Sequence, residues 1–407
     1  MTQRLYYHDP YLRSFDATIA AVHRRDASSS ETLVILDRTA FYPTSGGQPF
    51  DTGTLGNRPV VDVVEQDDGT IGHVLNVEPG SSNLDPGAAV SGAIDWPRRF
   101  DHMQQHTGQH VLSAAFDRLF RVATVSFHLG AESSTIDLAR TVTAVEIGAA
   151  EDEANRIVWE DRPVNIRFAD AAEAAALALR KPSAREGTLR LIEVEGFDLS
   201  ACGGTHVGRT GGIGVVAVAS AEKFKGGQRI EFVCGGRALA RFRSLRDSVA
   251  ASVRLLSVLP AELPAAIQRL QADARDQKRS MAALQSALAV FQADELATGA
   301  ETVGAVRLVA RAIEGDASLL KNLASRIAER ESHMAVFASG TRPALVVIAR
   351  AANVEAHAQQ LLAALITRFG GRGGGKSELA QGGLDAASDE IIAAARASIM
   401  AEQTPNS

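Results

Sequence analysis

A chain of 407 residues predicts two or three domains, and its 45% apolar and 22% charged residues are typical of a globular protein. No run approaches ~18 apolar residues and the start of the chain, Met1–Asp16, lacks an apolar signal core, so we expect a cytoplasmic protein without a membrane span. Two cysteines argue against a disulfide-built secreted fold, and the net charge of −6 argues at first against a nucleic-acid partner.

The first 95 residues predict a small β-barrel. Short β-rich runs are separated by Gly, Pro and Asp turns, and a loop with two adjacent glycines, Phe41 to Pro49, interrupts them. The predicted strands are Phe15–Val22, Glu31–Leu36, Val60–Glu65 and Ala88–Asp95.

A central α+β segment, residues 96–236, begins where Trp96-Pro97 predicts the first turn of a helix that runs to about Arg121. A second helix, Glu146 to Asp161, has apolar side chains on one face. Strands are predicted at Leu189–Val194, Ile213–Ala219 and Arg229–Cys234.

Residues 237–297 predict a helical linker. Apolar side chains recur at alternating steps of three and four, which is typical of a helix that packs on another helix. That partner is either Arg237–Leu256 of the same chain or a second copy in a homodimer, formed through the linker and the C-terminal segment. The seam positions are Ile267, Leu270, Ala274, Gln277, Met281, Leu284, Leu288 and Phe291.

Residues 298–407 predict a smaller α/β unit. It has strands near Ala335–Ala338 and Ala344–Ile348, a helix from Val354 to Phe369, and a glycine-rich stretch, residues 370–375. With the preceding segments this gives an α+β protein in four parts: 1–95, 96–236, 237–297 and 298–407.

Positive charge is concentrated between Ala221 and Arg246, a segment that contains seven cationic side chains and two carboxylates. Such a cluster is typical of a surface that follows a phosphate backbone, and equally of a solvated helix face. The cations are Lys223, Lys225, Arg229, Arg237, Arg241, Arg243 and Arg246.

Two residue pairs predict a metal site. His106 and His110 lie one turn apart on one face of the predicted helix, and Cys202 and His206 flank Gly-Gly-Thr. Imidazole and thiolate are the donors that zinc prefers, so the four residues together predict zinc. The site is either catalytic or purely structural.

Several motifs occur in one order: Arg38 to Pro49, the two histidines, the Cys-Gly-Gly-Thr-His-Val string at Cys202, and Arg229 to Arg237. They resemble the editing half of alanyl-tRNA synthetase and its free-standing AlaX relatives. Gly370 to Gly383 resembles the C-terminal domain shared with DHH-type phosphoesterases. Because the synthetase's activation and tRNA-binding domains have no counterpart in this sequence, we expect no aminoacyl-adenylate formation.

The resemblance implies a zinc-dependent hydrolase that removes serine, and secondly glycine, from mischarged alanine tRNA. The two histidine-containing pairs match the family's metal positions. Gly46, Gly47 and Gln48 match a loop that approaches the aminoacyl end, and Thr39 and Thr44 are hydroxyls able to read a serine side chain. Whether zinc takes three or four protein ligands stays open, and no general base is assigned.

The expected RNA contacts are Lys223, Lys225, Arg229, Arg372 and Lys376. The last two belong to Gly370–Ser377, which also fits the spacing of a nucleotide-binding phosphate loop. Nucleotide binding is disfavoured because a helix precedes the glycines, whereas a phosphate loop follows a strand and opens a helix.

The same motifs are compatible with a zinc-stabilised tRNA-binding or dimerising module without catalysis, and with a remnant of the threonyl-tRNA editing domain. The Gly46–Gln48 loop disfavours the first, and the C-terminal glycine-rich domain disfavours the second. Gly108 departs from the family pattern, which has alanine there, and we expect it to let a backbone or the substrate come close.

Overall fold

The computed structural model describes residues 1–24, 31–77, 84–181 and 187–403. The chain separates into two units, Met1–Ser252 and Val253–Ser407, and the boundary falls within one helix, Gly235–Leu256. The α+β class is confirmed, while the finer division into four segments stays a prediction. Among the described residues no single helix has the length and hydropathy of a membrane span; Gly235–Leu256 and Pro260–Thr298 pass that test only as a bent pair, by length and composition.

A closed six-stranded barrel forms the first part of the N-terminal unit. Along Ser14–Arg24, Phe15, Ala17 and Ile19 are buried while the residues between them are exposed, so one side of the strand fills the barrel. Around the barrel the strands follow in the order Ser14–Arg24, Thr32–Leu36, Ile71–Leu75, Arg58–Glu65, Gly53–Leu55 and Ala89–Ile94.

The predicted barrel is confirmed, with two further strands that the sequence did not indicate. Gly53–Leu55 is only three residues long, and Ile71–Leu75 is buried at every position and so shows no alternation. A short strand, Gln3–Arg4, pairs in parallel with Arg38–Thr39, and a 3-10 turn, Leu5–Tyr7, follows it.

Helix α1, Trp96–Phe120, confirms the predicted helix almost to the residue. The Asp95 carboxylate accepts from the Arg98 amide, Pro97 occupies the first turn, and Arg121 ends the helix in the left-handed region. The Arg99 guanidinium, fully buried, donates to Asp51 at 3.0 Å and thereby ties the helix to the barrel.

Two sheets and α2, Ala144–Trp159, surround α1. A four-stranded sheet has the order Val216–Phe224, Gly227–Cys234, Ser134–Leu138 and Thr124–Leu129, and a three-stranded sheet the order Val164–Ala169, Leu189–Val194 and Asp198–Ala201. Helix α3, Ala171–Ala176, and helix α4, Gly235–Leu256, complete the elements that begin in this unit. The strand predicted from Ile213 starts instead at Val216, because Thr210–Ile213 forms a 3-10 turn that Gly214 ends at φ 83°.

The C-terminal unit is a six-stranded sheet covered on both faces. Its order is Glu301–Val303, Val306–Ala312, His333–Ala338, Ala344–Arg350, Leu379–Leu384 and Arg372–Gly375. Helices α5, Leu263–Thr298, and α6, Ala317–Ala328, pack on one face. Helices α7, Ala358–Phe369, and α8, Ser388–Gln403, pack on the other.

Within this unit, helix α5 does not pack through its apolar seam. Ala289, Ala293 and Ala297 are buried against α6 and the sheet, because small side chains let the helices approach closely. The seam's larger side chains are 42–73% exposed, and the homodimer stays a prediction. They are Ile267, Leu270, Met281, Leu284, Leu288 and Phe291.

The glycine-rich stretch is a hairpin rather than a phosphate loop. Arg372–Gly375 pairs antiparallel with Leu379–Leu384, so a strand and not a helix follows the glycines. This agrees with the interpretation that disfavoured nucleotide binding, because backbone amides at a helix start are what hold the phosphates in a phosphate loop.

Candidate metal centre

Four predicted ligands converge in the N-terminal unit. His106 and His110 extend from α1, and Cys202 and His206 lie in the loop after Asp198–Ala201. Their ligand atoms all lie within 4.8 Å of one another, and the Cys202 sulfur is 3.4 Å from Nε2 of both His106 and His206. Zinc bonds of ~2.0–2.3 Å in a tetrahedron place ligand atoms about 3.5 Å apart, which the two sulfur–nitrogen separations match.

The His206 ring is oriented by Thr107. The Thr107 hydroxyl donates to the Met103 carbonyl at 2.8 Å and accepts from the Val207 amide at 3.1 Å. Because its one proton is used, the hydroxyl accepts from His206 Nδ1 at 3.2 Å. His206 therefore carries its proton on Nδ1 and directs the Nε2 lone pair toward the cluster.

The His106 ring is oriented by Gln48, which the resemblance placed at the substrate. The Gln48 side-chain oxygen accepts from His106 Nδ1 at 2.8 Å and from the Thr205 amide at 3.1 Å. Its side-chain nitrogen donates to the Thr205 hydroxyl at 2.9 Å. Gln48 is fully buried, and its side-chain amide bonds Thr205 in the metal-ligand loop.

The His110 ring is oriented by Asp198. His110 Nδ1 lies 3.0 Å from the Asp198 carboxylate, whose other oxygen accepts from Arg180 at 2.7 Å. Burial alone would lower the pKa of His110, but the bonds to Asp198 and Cys202 raise it to about 9. The same two groups therefore stabilise positive charge at this point, whether a proton or a metal ion carries it.

In its neutral form, each of the three histidines would direct its Nε2 toward the Cys202 thiol. Burial opposes ionisation of Cys202, yet the neighbouring His106 and His206 rings hold the pKa of its thiol well below its usual value. Burial lowers the pKa of His206 to about 3, which keeps this imidazole neutral and able to bind a metal. The donor set and the fixed tautomers match a structural or catalytic zinc site.

Glycines allow close packing of the two loops of the site, one against α1 and the other against the strand Thr124–Leu129. A side chain at Gly204 would collide with the His106 ring, and one at Gly47 would press on Phe127. Gly46 and Gly47 have φ of 52° and 82° in a tight turn closed by Ser45 and Gln48. These positions require glycine for space and for backbone conformation.

The two predicted serine-reading hydroxyls have different surroundings. Thr39 is fully buried; its hydroxyl lies 2.8 Å from His73 Nε2 and accepts from the Phe41 amide. Because His73 Nδ1 bonds the Val34 carbonyl, Nε2 is the acceptor and Thr39 the donor. Thr44 is exposed and accepts from the Phe50 amide at 3.2 Å.

Gly108 packs against Cys234 rather than admitting substrate. A Cβ at Gly108 would collide with the Cys234 sulfur, which lies on the neighbouring strand Gly227–Cys234. Gln105 fastens that strand to α1, accepting from the Cys234 amide at 2.8 Å and donating to its carbonyl at 3.0 Å. The expectation that a backbone or the substrate comes close at Gly108 is thus corrected: the group that comes close is the Cys234 thiol.

Sequence reasoning missed the residues that orient the ligands. Thr107 and Asp198 carry no motif signal, and Thr205, although it lies in the Cys-Gly-Gly-Thr-His-Val string, was assigned no role. A search for hydroxyl side chains next to each expected ligand would find Thr107 and Thr205. Asp198 is four residues before Cys202, and only the fold brings it to His110.

Several cations of the basic cluster have carboxylate partners. Arg229 donates to Asp137 through two nitrogens at 2.7 and 3.0 Å, and Arg237 donates to Asp101. The Arg229 guanidinium, which was predicted to contact RNA, is therefore already paired with a carboxylate. The other predicted RNA contacts have exposed side chains: Lys223, Lys225, Arg372 and Lys376.

Family models match two segments that carry this site. Residues 11–98, which include the Gly46–Gln48 turn, match the model described as tRNA synthetases class II (A). Residues 189–231, which include Cys202 and His206, match the threonyl and alanyl tRNA synthetase second additional domain.

Curated relatives match nearly the whole chain. The alanyl-tRNA editing protein AlaX-L of Pyrococcus horikoshii is 30% identical over 96% of this chain and 97% of its own length. The alanine–tRNA ligases of Pyrococcus furiosus and Methanothrix thermoacetophila are 31% and 33% identical over 94% and 97% of this chain. The chain spans only 42% and 44% of those two ligases.

A solved structure matches part of the chain. The C-Ala domain of Aquifex aeolicus alanyl-tRNA synthetase is 24% identical, and the match covers 26% of this chain and 98% of that domain. Its TM-score of 0.24 is too low to support a structural argument.

Proposed function

The chain belongs to the AlaX-L family of alanyl-tRNA editing proteins, and on this basis we propose that it is a deacylase that hydrolyses the ester between a wrong amino acid and alanine tRNA. The observation that carries the proposal is the cluster of one thiol and three imidazoles with fixed tautomers. Two segments that contribute to it, residues 11–98 and 189–231, match synthetase-related family models.

The proposed substrates are seryl-tRNA and, secondly, glycyl-tRNA for alanine. A synthetic pocket that admits alanine excludes smaller or slightly more polar side chains only ~10- to 200-fold. A second, hydrolytic site supplies the missing discrimination. Such a site can prefer serine over alanine if a buried partner of the serine hydroxyl is left unpaired by alanine.

Zinc is the proposed metal, held by His106, His110, Cys202 and His206. When bound it would supply positive charge that polarises an ester carbonyl or a water molecule. Because the four ligand atoms all lie within 4.8 Å of one another, we propose that all four bind and that the metal mainly organises the pocket. The residues that keep the three imidazoles aimed at it are Gln48, Asp198 and Thr107.

The candidate hydroxyls for reading serine are Thr39 and Thr44. The Thr39 proton is donated to His73, so a serine hydroxyl would have to donate to Thr39. Gly46 and Gly47 are the proposed backbone approach to the aminoacyl end, where the absence of side chains leaves amides accessible.

Mischarged alanine tRNA is the proposed partner, and the cytoplasm is the proposed location of the interaction. In the N-terminal unit the exposed cations Lys223 and Lys225 suit phosphate contacts, and in the C-terminal unit Arg372 and Lys376 do. Contacts of this kind weaken as salt rises, because condensed counterions are released on binding. A homodimer through the exposed seam of α5 belongs to the same proposal.

The test is deacylation of serine-charged and of glycine-charged alanine tRNA by the wild type, by Cys202→Ala and by Cys234→Ala, with zinc content measured for each. We expect the first variant to lose serine release and zinc together. Cys234 is a matched control, since its buried thiol is not a member of the cluster. Zinc-loaded wild type that releases neither serine nor glycine would favour the second candidate, a zinc-stabilised tRNA-binding module.

A further inference from the structure

Arg190 is a buried arginine that has no carboxylate partner among the described residues. It lies on the strand Leu189–Val194 and is only 6% exposed. Arg99, the other buried arginine of the described chain, pairs with Asp51. Burying an unpaired cation is costly, so its contacts must offer a compensating interaction.

The contacts of Arg190 are backbone carbonyls of the metal-ligand loop. One terminal nitrogen, Nη1, donates to the Cys202 carbonyl at 2.7 Å and to the Gly204 carbonyl at 2.9 Å. The Nε nitrogen donates to the Tyr7 carbonyl at 3.0 Å, in the 3-10 turn that precedes the barrel. The loop is thus held on both sides of Gly203 and joined to the N-terminal segment.

The backbone of Arg190 also bonds the metal-ligand loop. Its carbonyl accepts from the Cys202 amide at 3.0 Å, so Cys202 is bonded to Arg190 through both its N–H and its C=O. The guanidinium carbon lies 5.3 Å from the centre of the Tyr7 ring. The second terminal nitrogen, Nη2, is buried without a hydrogen-bond partner in the described part of the chain.

We propose that Arg190 is a positioning residue of the metal centre: by holding the Cys202 and Gly204 carbonyls it fixes the direction in which the Cys202 sulfur points. This inference rests on the metal site of the proposed function. The sulfur stays 3.4 Å from Nε2 of both His106 and His206 only while the two carbonyls beside Gly203 keep their places. Gly203 and Gly204 are flexible without such a clamp.

Lysine cannot replace this arginine. Three bonds to three carbonyls use two nitrogens of a planar fork, whereas an ammonium group offers a single nitrogen on a flexible stem. Arg190→Lys therefore keeps the charge and loses the geometry. Arg190→Gln removes the charge and shortens the side chain.

If the contacts of Arg190 merely stabilise the fold, a different result is expected. In that case the variants unfold more readily, but the folded fraction binds metal with the geometry of the wild type. A positioning role changes the ligand field of the bound metal itself, because the sulfur leaves its place in the tetrahedron.

The experiment replaces zinc with cobalt in the full chain and records the visible and sulfur-to-cobalt absorption bands of wild type, Arg190→Lys and Arg190→Gln. Transfer of zinc from each protein to a chromophoric chelator is followed in parallel. Arg167→Gln is the matched control, since Arg167 lies on the adjacent strand, is half exposed and pairs with Glu193. Circular dichroism establishes that each protein is folded.

For Arg190→Lys we expect altered cobalt bands and zinc release about tenfold faster than wild type, as for other residues that support metal ligands. Wild-type spectra and wild-type release in folded Arg190→Lys would overturn the proposal, and this variant decides the matter if Arg190→Gln does not fold. None of these readouts uses tRNA. A wild type that binds cobalt but releases neither serine nor glycine would therefore overturn the proposed hydrolase alone.

Discussion

At the scale of single residues, the histidine ligands differ in what holds them. An amide oxygen orients His106, a carboxylate orients His110 and a hydroxyl orients His206. Each partner accepts the Nδ1 proton, so each Nε2 is left for a metal. Neutral acceptors at two of the three positions limit the negative charge around the site.

Gln48→Ala should weaken zinc binding about 10- to 100-fold, because the variant loses the acceptor for His106 Nδ1 and the bond to the Thr205 hydroxyl. Competition with a chelator of known affinity measures this. Gln66→Ala is the control, on a barrel turn whose backbone rather than side chain makes the turn's bonds. Unchanged zinc affinity with lost serine release would instead place Gln48 at the substrate.

His73 should make stability fall in mild acid. Burial lowers its pKa from 6.5 to about 4, so between these values the unfolded chain binds a proton that the folded chain does not. Stability from this residue is complete above pH 6.5 and is lost as the pH falls toward 4. Between about pH 7 and 5 the loss amounts to about 2 kcal/mol.

Urea unfolding of wild type and His73→Gln at about pH 7 and 5 checks this expectation. The variant should lose about 2 kcal/mol less than the wild type over that interval, whatever its starting stability. His128→Gln serves as the control, because His128 is exposed. Parallel losses in wild type and His73→Gln would show that His73 does not titrate in this way.

At the scale of elements, α1 is positioned by close approach to the strand Gly227–Cys234. Gly108 lets the helix backbone meet the Cys234 thiol, and Gln105 bonds both the amide and the carbonyl of the same cysteine. The helix thus gains its placement from a residue with poor helix propensity. His106 and His110 lie on either side of Gly108, so this contact falls in the helical turn that carries both ligands.

Gly108→Ala should destabilise the wild type by about 1–2 kcal/mol, since overpacking outweighs the gain of ~1 kcal/mol in helix propensity. In a Cys234→Ala background the sulfur is gone, and the same change should stabilise by about 1 kcal/mol. Chemical denaturation of the four proteins gives the coupling between the two sites. Additive effects would mean that the two residues do not share this space.

The sequence predicted most elements and all four metal-site members, but not what holds them. Periodicity found α1 and α2, and the donor chemistry of two pairs, four residues apart, found the ligands. Two of these contacts join positions 88 or more residues apart: Gly108 with Cys234 and His110 with Asp198. The third, between Arg190 and the metal-ligand loop, depends on the shape of that loop. No local pattern encodes such contacts.

At the scale of the whole molecule, the metal cluster and the residues that orient its ligands lie within Met1–Ser252. A fragment of residues 1–252 should therefore bind zinc with the affinity of the full chain. Zinc content and chelator competition on the purified fragment measure this. A fragment that is folded by circular dichroism but binds no zinc would mean that residues beyond 252 complete the site.

The spacing of the ligands along the chain has a consequence for biosynthesis. Ninety-six residues separate His106 from Cys202, so the ribosome, at ~5–20 residues per second, makes the two halves of the cluster about 5–20 seconds apart. Until Cys202 emerges, the nascent protein offers only two imidazoles. The earlier contact of Arg99 with Asp51 can already anchor α1 to the barrel in that interval, so metal loading becomes a late step that completes a helix already in place.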